Sequence, residues 1–512
     1  NEWSVSVWFI QVYNKSPIMN IISDIVIENR EFENVENLYI IDQFLNPEKY
    51  IEGKITVVFK NCSFAHINII NEENIRFKNI SILFSYCLIK SFYVESVVSK
   101  NISILFTNSI LSARLNNSIL GFVSFTNCLV YRHLFLTKIS QLSIVYDENT
   151  INLIQWLRFL RKYNLNYRDY LENKIYVYEH IDFTFHIREN DNSISGIHRN
   201  RNLNRVIYYF TEKEKQEFQI SLLIYFYPKI DDKKTRILNS KLHSLELKGI
   251  ANGEIEIENC QIDNIYIFEL SCDSNATFYN IKPYRTSSSE NNFQISRCNL
   301  DKFWFDNVLF NDYKKISFYR NRFSNTSFTS CEFPSNFDDF SKFITVKNIH
   351  YPDSRDDNYE KLRYETFLQI KKSLENSGNF FESLKFQSIT NESLFKIKSI
   401  PFWDKVILGI NSISNDHGIS IKKPFILLLF FSITFYIFYL YFLDRIFIFN
   451  SEFDWNLIGY YFSFLDITHR SDFLVEKEDL NGMSLFLDYL NKVIVGFFIY
   501  QFIASFRKYG KK

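Results

Sequence analysis

The sequence is poor in the two residues that most often interrupt regular structure. Glycine contributes 12 of the 512 residues and proline 8, together about 4% of the chain against ~12% in ordinary proteins. This scarcity excludes collagen, flexible linker arrays and proline-rich disorder. It also disfavours phosphate-binding loops, which need glycine where the backbone approaches a phosphate.

Neither charge is in excess. Lysine and arginine number 58, as do aspartate and glutamate. The chain therefore lacks the basic excess of nucleic-acid-binding proteins, and no nucleic acid partner is expected. The seven cysteines form an odd number without a CxxC pair, which favours reduced thiols in a cytosol over a disulfide framework.

Motifs that carry catalytic chemistry are missing. The sequence contains no Walker loop, dinucleotide-binding glycine motif, nucleophile elbow or HExxH, so it predicts no enzyme and no cofactor. His180 and His186 flank Asp182 but lack a convincing third ligand, so no metal site is predicted. His417, within Asn-Asp-His-Gly, is expected in a turn rather than in a site.

Aromatic residues make up 18% of the chain, and many of them follow regular spacings. Residues 1–145 repeat a six-residue motif whose starts are 25, 22 and 19 residues apart. The four copies are Phe59–Phe64, Phe84–Ile89, Phe106–Leu111 and Phe125–Val130. The spacing is about the length of one coil of a parallel β-helix, so we expect a β-helix with degenerate repeats here.

A stricter period of five residues runs through residues 241–350. The apolar positions are Leu245, Ile250, Ile255, Cys260, Ile265, Leu270, Ile295, Leu300, Phe305, Phe310, Phe318, Phe323, Phe328 and Phe333. A period of five fits neither an α-helix nor a flat strand. It fits a coil of square cross-section in which every fifth side chain points to the axis.

The segment Ile316–Phe333 (ISFYRNRFSNTSFTSCEF) resembles the pentapeptide-repeat family. The resemblance implies a right-handed quadrilateral parallel β-helix whose corners turn without glycine. The match is degenerate elsewhere, and for residues 50–140 a generic β-solenoid with looser coils is the alternative. Coils of either kind bury their aromatic side chains against neighbouring coils.

Two further segments precede the C-terminal region. Residues 146–240 are mixed and charged and include a predicted amphipathic helix at 152–164, so we expect an insertion beside the solenoid. Within 356–400 the apolar period becomes helical, and Gly378 separates two helices. We expect this helical hairpin to cap the open end of the solenoid and shield its strand edges.

Two stretches within residues 401–512 are expected to cross a membrane. Residues 425–443 contain only two polar side chains and are long enough for a hydrocarbon core of about 30 Å. Residues 486–506 form a second predicted span, with an amphipathic helix on the membrane surface as the alternative. At 100° per residue, its polar side chains fall within about 140° of one another: Asp488, Asn491, Gln501 and Ser505. Polar groups in a membrane face a partner helix or water rather than lipid.

Basic residues around the two spans predict their orientation. Lys422 and Lys423 precede the first span and Arg507 and Lys508 follow the second, whereas residues 444–479 contain eight acidic and three basic residues. Lysine and arginine mark the cytoplasmic side. We therefore expect a multi-pass protein of the bacterial inner membrane, with the N-terminal domain and the C-terminus in the cytoplasm.

A short apolar stretch at 455–465 lies between the spans and is too short to cross. Span, short helix and span resemble the two-transmembrane ion-channel family, which implies a re-entrant helix followed by a filter. A helix lying in the headgroup region is the alternative. The glycine-rich potassium filter of that family is absent, so potassium selectivity is not expected. The candidate pore-lining residues are Asp466, Thr468, His469, Asn491 and Gln501.

Residues 356–512 together resemble bacterial pentapeptide-repeat membrane proteins with a channel-like tail, through segments 367–379, 403–418 and 499–509. Two functional hypotheses follow. In the first, the solenoid senses a signal or binds an unknown protein partner, and the two-span regions of a homo-oligomer form a pore. In the second, the two spans only tether a scaffold for protein–protein interaction to the lipid bilayer.

Overall fold

Parallel β-strands make up most of the described residues of the first part of the chain, and helices most of those of the second part. A computed structural model describes residues 25–40, 54–71, 79–95, 98–115, 119–147, 164–188 apart from 166, 171, 179 and 181, 219–228, 234–284, 291–338, 357–443 and 456–510. The chain divides into two units, Asn1–Asp338 and Asp339–Lys512, and each is described by itself.

The described residues of the first unit form 23 strands. They are β1 (Ile25–Glu28), β2 (Glu31–Ile40), β3 (Lys54–Lys60), β4 (Ser63–Asn71), β5 (Asn79–Ser85), β6 (Leu88–Glu95), β7 (Val98–Thr107), β8 (Ile110–Leu115), β9 (Ile119–Thr126), β10 (Leu129–Val130), β11 (His133–Thr137), β12 (Ile139–Asp147), β13 (Glu172–Tyr178), β14 (Asp182–Arg188), β15 (Gln219–Phe226), β16 (Lys234–Leu238), β17 (Lys241–Ala251), β18 (Glu254–Cys272), β19 (Ala276–Lys282), β20 (Asn292–Ser296), β21 (Phe303–Val308), β22 (Lys315–Tyr319) and β23 (Ser327–Thr329).

The strands pair in parallel, each with the equivalent strand of the next coil. One ladder runs through β1, β3, β5, β7, β9, β12, β14, β16, β18, β19, β21 and β23. The other runs through β2, β4, β6, β8, β10 and β11, β13, β15, β17, β18, β20 and β22. The long strand β18 belongs to both ladders. This arrangement is a β-solenoid, which confirms the predicted fold class.

The six-residue motif builds the core of successive coils. Its leading residues, Phe59, Phe84, Phe106 and Phe125, are register partners from coil to coil. Their rings stack at centroid distances of 5.2, 5.2 and 5.0 Å with interplanar angles of 10°, 12° and 6°. All four side chains are buried. The number of residues between two copies of the motif is therefore the length of one coil, and it differs from coil to coil.

The third residue of the motif turns the chain at a corner. Asn61, Tyr86, Asn108 and Asn127 have φ values of 55°, 53°, 48° and 51°. Side chains other than glycine rarely adopt this left-handed conformation, and asparagine tolerates it best. Each of these residues donates its backbone N–H to a carbonyl of the next coil at 2.9 Å. The corners thus turn with little use of glycine.

The fourth residue of the motif lies just inside the corner. Cys62, Cys87, Ser109 and Cys128 are buried and donate to the carbonyl two residues earlier at 3.4, 3.4, 2.9 and 3.4 Å. The same contact recurs in later coils at Cys260, Cys298 and Cys331. All seven cysteines of the chain are free and buried.

In the later coils, the side chains at the five-residue period also point inward. Thirteen of its fourteen positions are buried, and Ile250 is exposed. The prediction for Ile250 is wrong because the register shifts at Gly249 and places Ala251 inside instead. Gly249 has a φ of 106°, and a Cβ there would lie 2.0 Å from the carbonyl oxygen of Phe226, so a larger residue does not fit.

Residues 146–240 differ from the predicted insertion beside the solenoid. Strands β13, β14, β15 and β16 lie in this segment and continue both ladders. The added length falls between strands: register partners of β12 and β14 are 41 residues apart and those of β14 and β16 are 52 apart. Most of the predicted helix at 152–164 lies outside the described residues.

The second unit is helical. Its described helices are α1 (Asp357–Asn376), α2 (Phe380–Lys396), α3 (Phe402–Asn415), α4 (Lys422–Phe442), α5 (Asn456–Leu465) and α6 (Gly482–Gly510). The chain turns between α1 and α2 at Gly378, whose φ is 79°, and the Asn379 side chain caps α2 by accepting from the backbone N–H of Glu382 at 3.2 Å. Phe367 packs on Phe386 across the hairpin. Capping of the solenoid by this hairpin stays a prediction.

Candidate functional site

Two helices of the second unit are long and apolar enough to cross a membrane by length and composition, Lys422–Phe442 and Gly482–Phe506. The predicted spans fall on these helices, α4 and α6, which pack against each other. In the most apolar 18-residue stretch of each helix, only 22% and 33% of the residues are buried, respectively. Most of their apolar surface is therefore not covered by the described part of the chain.

Polarity on α6 differs from that on a helix of a soluble protein, because polar side chains share its buried side with Leu487, Val495 and Phe498. Its buried side chains include polar residues: Ser484, Asp488, Asn491, Gln501 and Ser505. Its exposed side chains include large apolar ones: Phe486, Tyr489, Val493, Tyr500 and Ile503. The predicted polar stripe therefore faces other parts of the protein.

The carboxylate of Asp488 is the centre of a buried polar cluster. Its Oδ1 lies 2.6 Å from Nε2 of His469, and its Oδ2 accepts from Ser471 Oγ at 2.8 Å and from Lys492 Nζ at 3.0 Å. The side chains of His469 and Asp488 are 5% and 0% exposed. We call Asp488, His469, Ser471 and Lys492 the Asp488 cluster.

This cluster joins the loop that follows α5 to the start of α6. Lys492 sits one turn after Asp488 on the same helix and also donates to the backbone carbonyl of His469 at 3.0 Å. The ammonium group supplies the positive charge that a buried carboxylate needs, because an uncompensated buried charge costs several kcal/mol. The ring of His469 also packs edge-on against Phe473 at 4.8 Å. These contacts fix the loop after α5 against α6. Both carboxylate oxygens of Asp488 are already engaged by protein groups.

The other two loop candidates, Asp466 and Thr468, are exposed just beyond α5. Oδ1 of Asp466 accepts from the backbone N–H and the hydroxyl of Thr468, at 2.9 and 2.8 Å. These hydrogen bonds favour the ionised carboxylate and hold the pKa of Asp466 below its usual value. Both residues therefore form a local turn with a negative charge at the surface.

Asn491 and Gln501 are buried at two different levels of α6. The amide of Asn491 donates to the carbonyl of Phe464 at 2.8 Å. Gln501 lies ten residues later, about 15 Å along the helix, where it donates to Asn411 Oδ1 at 3.3 Å and accepts from Asn415. The structure brings His469 close to Asp466 and Asp488 but does not bring Gln501 to them.

The short helix α5 packs against both long helices. Phe464 is buried in a cluster with Tyr436, Tyr439 and Leu440 of α4. The hydroxyl of Tyr436 also donates to the carbonyl of Leu457 at 2.8 Å. A short helix between two long ones is therefore present, and both the re-entrant and the headgroup interpretations stay open.

The histidines singled out in the sequence have protein partners. His180 is buried with Nε2 2.7 Å from Thr235 Oγ1, and burial lowers its pKa to about 4. His186 Nδ1 lies 3.2 Å from the carbonyl of Leu238. Within the part of the chain that the structure describes, no three histidine, cysteine, aspartate or glutamate side chains are grouped as metal ligands would be. His417 lies in the turn after α3, as predicted, and burial lowers its pKa.

The basic flanks lie where the sequence placed them. Lys422 and Lys423 are exposed at the start of α4, and Lys423 pairs with Asp416 at 3.5 Å. Arg507 and Lys508 fall in the last turn of α6.

Two side chains that bind Asp488, Lys492 and Ser471, were not among the candidate residues predicted from the sequence. For Lys492 a signal existed, because Asp488 and Lys492 are four residues apart on one helix. Ser471 gives no such signal, since it comes from the loop. A comparison of the chain with models of known protein families, with curated proteins and with solved structures found no match.

Proposed function

We propose that the chain is a membrane-tethered solenoid with a structural rather than a catalytic role. The observation that supports this most directly is the polarity of α6, with polar side chains among those inside and large apolar ones outside. In water such an exposed apolar surface is unfavourable. In a bilayer both faces are favourable, because lipid covers the apolar side chains and the polar ones bond to protein.

The proposal includes a location and an orientation. The membrane is the bacterial inner membrane, and the ends of α4 and α6 that carry Lys422, Lys423, Arg507 and Lys508 face the cytoplasm together with the solenoid. The solenoid then binds a protein partner in the cytoplasm, and the helical units associate as a homo-oligomer. Kinship with the pentapeptide-repeat family is also part of the proposal, supported by inward side chains at every fifth residue.

Thiol labelling of intact cells tests the tether and its orientation. Arg470 is suitable because its side chain is 86% exposed and the seven native thiols are buried. A cysteine at Ser471 would instead remove a hydrogen bond to Asp488. We expect Arg470→Cys to react with a membrane-impermeant maleimide on intact bacterial cells. The matched solenoid variant Tyr279→Cys, also exposed, should react only after permeabilisation.

Two outcomes would contradict these proposals in different ways. Release of the unmodified chain from membranes by alkaline carbonate would exclude the tether. The opposite labelling pattern, in a chain that resists carbonate, would reverse the orientation and keep the tether.

A pore formed by several chains is the second candidate function. It is favoured by one observation, the helix order α4, α5, α6 with the acidic turn of Asp466 and Thr468 exposed after the short helix. It is disfavoured by the intrachain hydrogen bonds of His469, Asn491 and Gln501, because side chains bonded within one chain are less suited to line a path between several chains.

Planar-bilayer recording separates the two functions. We expect the purified chain to give no steady current, because only Asp466 and Thr468 of the five candidates are exposed. A current that Asp466→Ala abolishes would establish the pore instead. Asp404→Ala is the matched control, since Asp404 is an exposed acidic residue on α3 and should leave any current unchanged.

A further inference from the structure

Helix α3 carries an apolar face that no other described element covers. Its side chains are between 45% and 73% exposed: Phe402, Trp403, Ile407, Ile410 and Ile413. At 100° per residue these positions fall within about 140° of one another. The helix has 14 residues, or about 21 Å, which is too short to cross a hydrocarbon core of about 30 Å.

The opposite face of α3 is polar and bonds to α6. Asn411 accepts from Gln501 Nε2 at 3.3 Å, and the Asn415 side chain donates to Gln501 Oε1. Beside them, Ser505 of α6 donates to the backbone carbonyl of Ser420 at 3.1 Å. These contacts hold α3 at the end of the helix pair where α4 begins and α6 ends.

The turn between α3 and α4 is tightly bonded. Asp416, His417 and Gly418 all have positive φ values, of 56°, 53° and 95°. Oδ1 of Asn415 accepts from the backbone N–H of Gly418 at 2.9 Å. Ser420 Oγ accepts from the backbone N–H of Lys423, in the first turn of α4, at 3.2 Å. The apolar face of α3 therefore keeps a fixed position relative to the start of α4.

We propose that the apolar face of α3 docks into the surface of the same bilayer that holds α4 and α6. This inference rests on the proposed tether. It adds a third membrane contact, in which Trp403 and the neighbouring aliphatic side chains lie at the boundary between headgroups and acyl chains. Tryptophan is favoured at this depth, and an amphipathic helix buries its apolar face there.

Two features select the bilayer over a protein as the occupant of this face. The apolar surface of α3 lies beside the ends of α4 and α6, whose own apolar side chains are exposed in the same way, so one lipid phase covers all three. Lys405 and Lys422 lie on α3 and at the start of α4, where ammonium groups attract anionic headgroups; Lys423 beside them pairs with Asp416. The docking thus fixes the depth and the tilt of the two spans.

Depth-dependent quenching tests the inference in the full chain. Single cysteines at Ile407, on the apolar face, and at Ser412, which is exposed on another side of α3, would carry an environment-sensitive fluorophore. The protein would be reconstituted in phosphatidylcholine vesicles with and without phosphatidylglycerol. We expect a blue-shifted emission at Ile407→Cys and loss of intensity with a nitroxide near the headgroup. Ser412→Cys should show neither.

A third position makes the possible failures distinguishable. Ile426→Cys, at an exposed apolar position of α4, should be quenched by a nitroxide on the acyl chain. Quenching at Ile426 without quenching at Ile407 would overturn the docking of α3 and keep the tether. No quenching at either position would overturn both the docking and the tether. Crosslinking of Ile407→Cys between two chains, with no lipid quenching, would assign the face to a second copy and overturn the inference.

Discussion

Replacing Asp488 with leucine is expected to lower the free energy of unfolding of the helical unit by about 3–5 kcal/mol, the cost of breaking a buried ion pair from one side. The substitution leaves the ammonium of Lys492, whose side chain is 17% exposed, without its carboxylate. It also removes the acceptor that His469 and Ser471 use. The loop after α5 would then lose its main attachment to α6.

Thermal unfolding of the full chain in detergent, followed by protease resistance of residues 456–510, measures this effect. Asp466→Ala is the matched control, because Asp466 is an exposed acid of the same loop and should change stability little. The double variant Asp488→Leu with Lys492→Met should recover part of the loss, since both charges are then removed. Equal effects of Asp488→Leu and Asp466→Ala would show that the cluster does not stabilise the loop.

Replacing Phe84 with alanine is expected to cost the solenoid about 3–5 kcal/mol, as for other fully buried phenylalanines. Its ring stacks between those of Phe59 and Phe106 and meets Phe64 and Phe92 edge-on. The cavity would interrupt the aromatic column between neighbouring coils, and each coil has only its two neighbours to rely on.

Urea unfolding of the full chain, followed by the β-sheet circular dichroism signal, measures the loss. Tyr93→Ala is the control from the following strand of the same coil, because Tyr93 is exposed and its truncation leaves no cavity. An unfolding midpoint of Phe84→Ala equal to that of Tyr93→Ala would mean that the aromatic column does not carry the stability of the solenoid.

Much of the solenoid could be predicted from side-chain spacing because identical residues stack on one another. The numbers of residues that separate Phe59, Phe84, Phe106 and Phe125 in the sequence equal the lengths of the successive coils. Spacing failed at Ile250, since a one-residue irregularity at Gly249 moves the next side chain to the other face.

The strands in residues 146–240 were hidden for another reason. Their outward positions carry charge, as at Lys234 and Arg236, and the segment as a whole looks mixed. Only alternate residues, such as Ile175 and Val177 of β13, are buried. Long stretches of chain between register partners also separate these strands, so no repeat period connects them.

Half of the candidate site followed from helical geometry. The wheel of α6 correctly grouped Asp488, Asn491, Gln501 and Ser505 as one stripe, and all four side chains are buried, because their angular positions depend only on the helix. It could not supply their partners. Those come from α5 and the loop after it, and from α3 and the turn after it. Contacts between distant segments depend on packing that a single helix does not encode.

The buried cysteines at the corners of the solenoid can report the local opening of its coils. Six buried cysteines each mark a corner of a different coil, from Cys62 to Cys331, and burial raises the pKa of Cys128, Cys260 and Cys298 to about 12. A thiol of this kind reacts only while its coil is open. The rates at which Cys128, Cys260 and Cys298 react therefore measure the free energy of local opening of the three coils that hold them, without a single substitution.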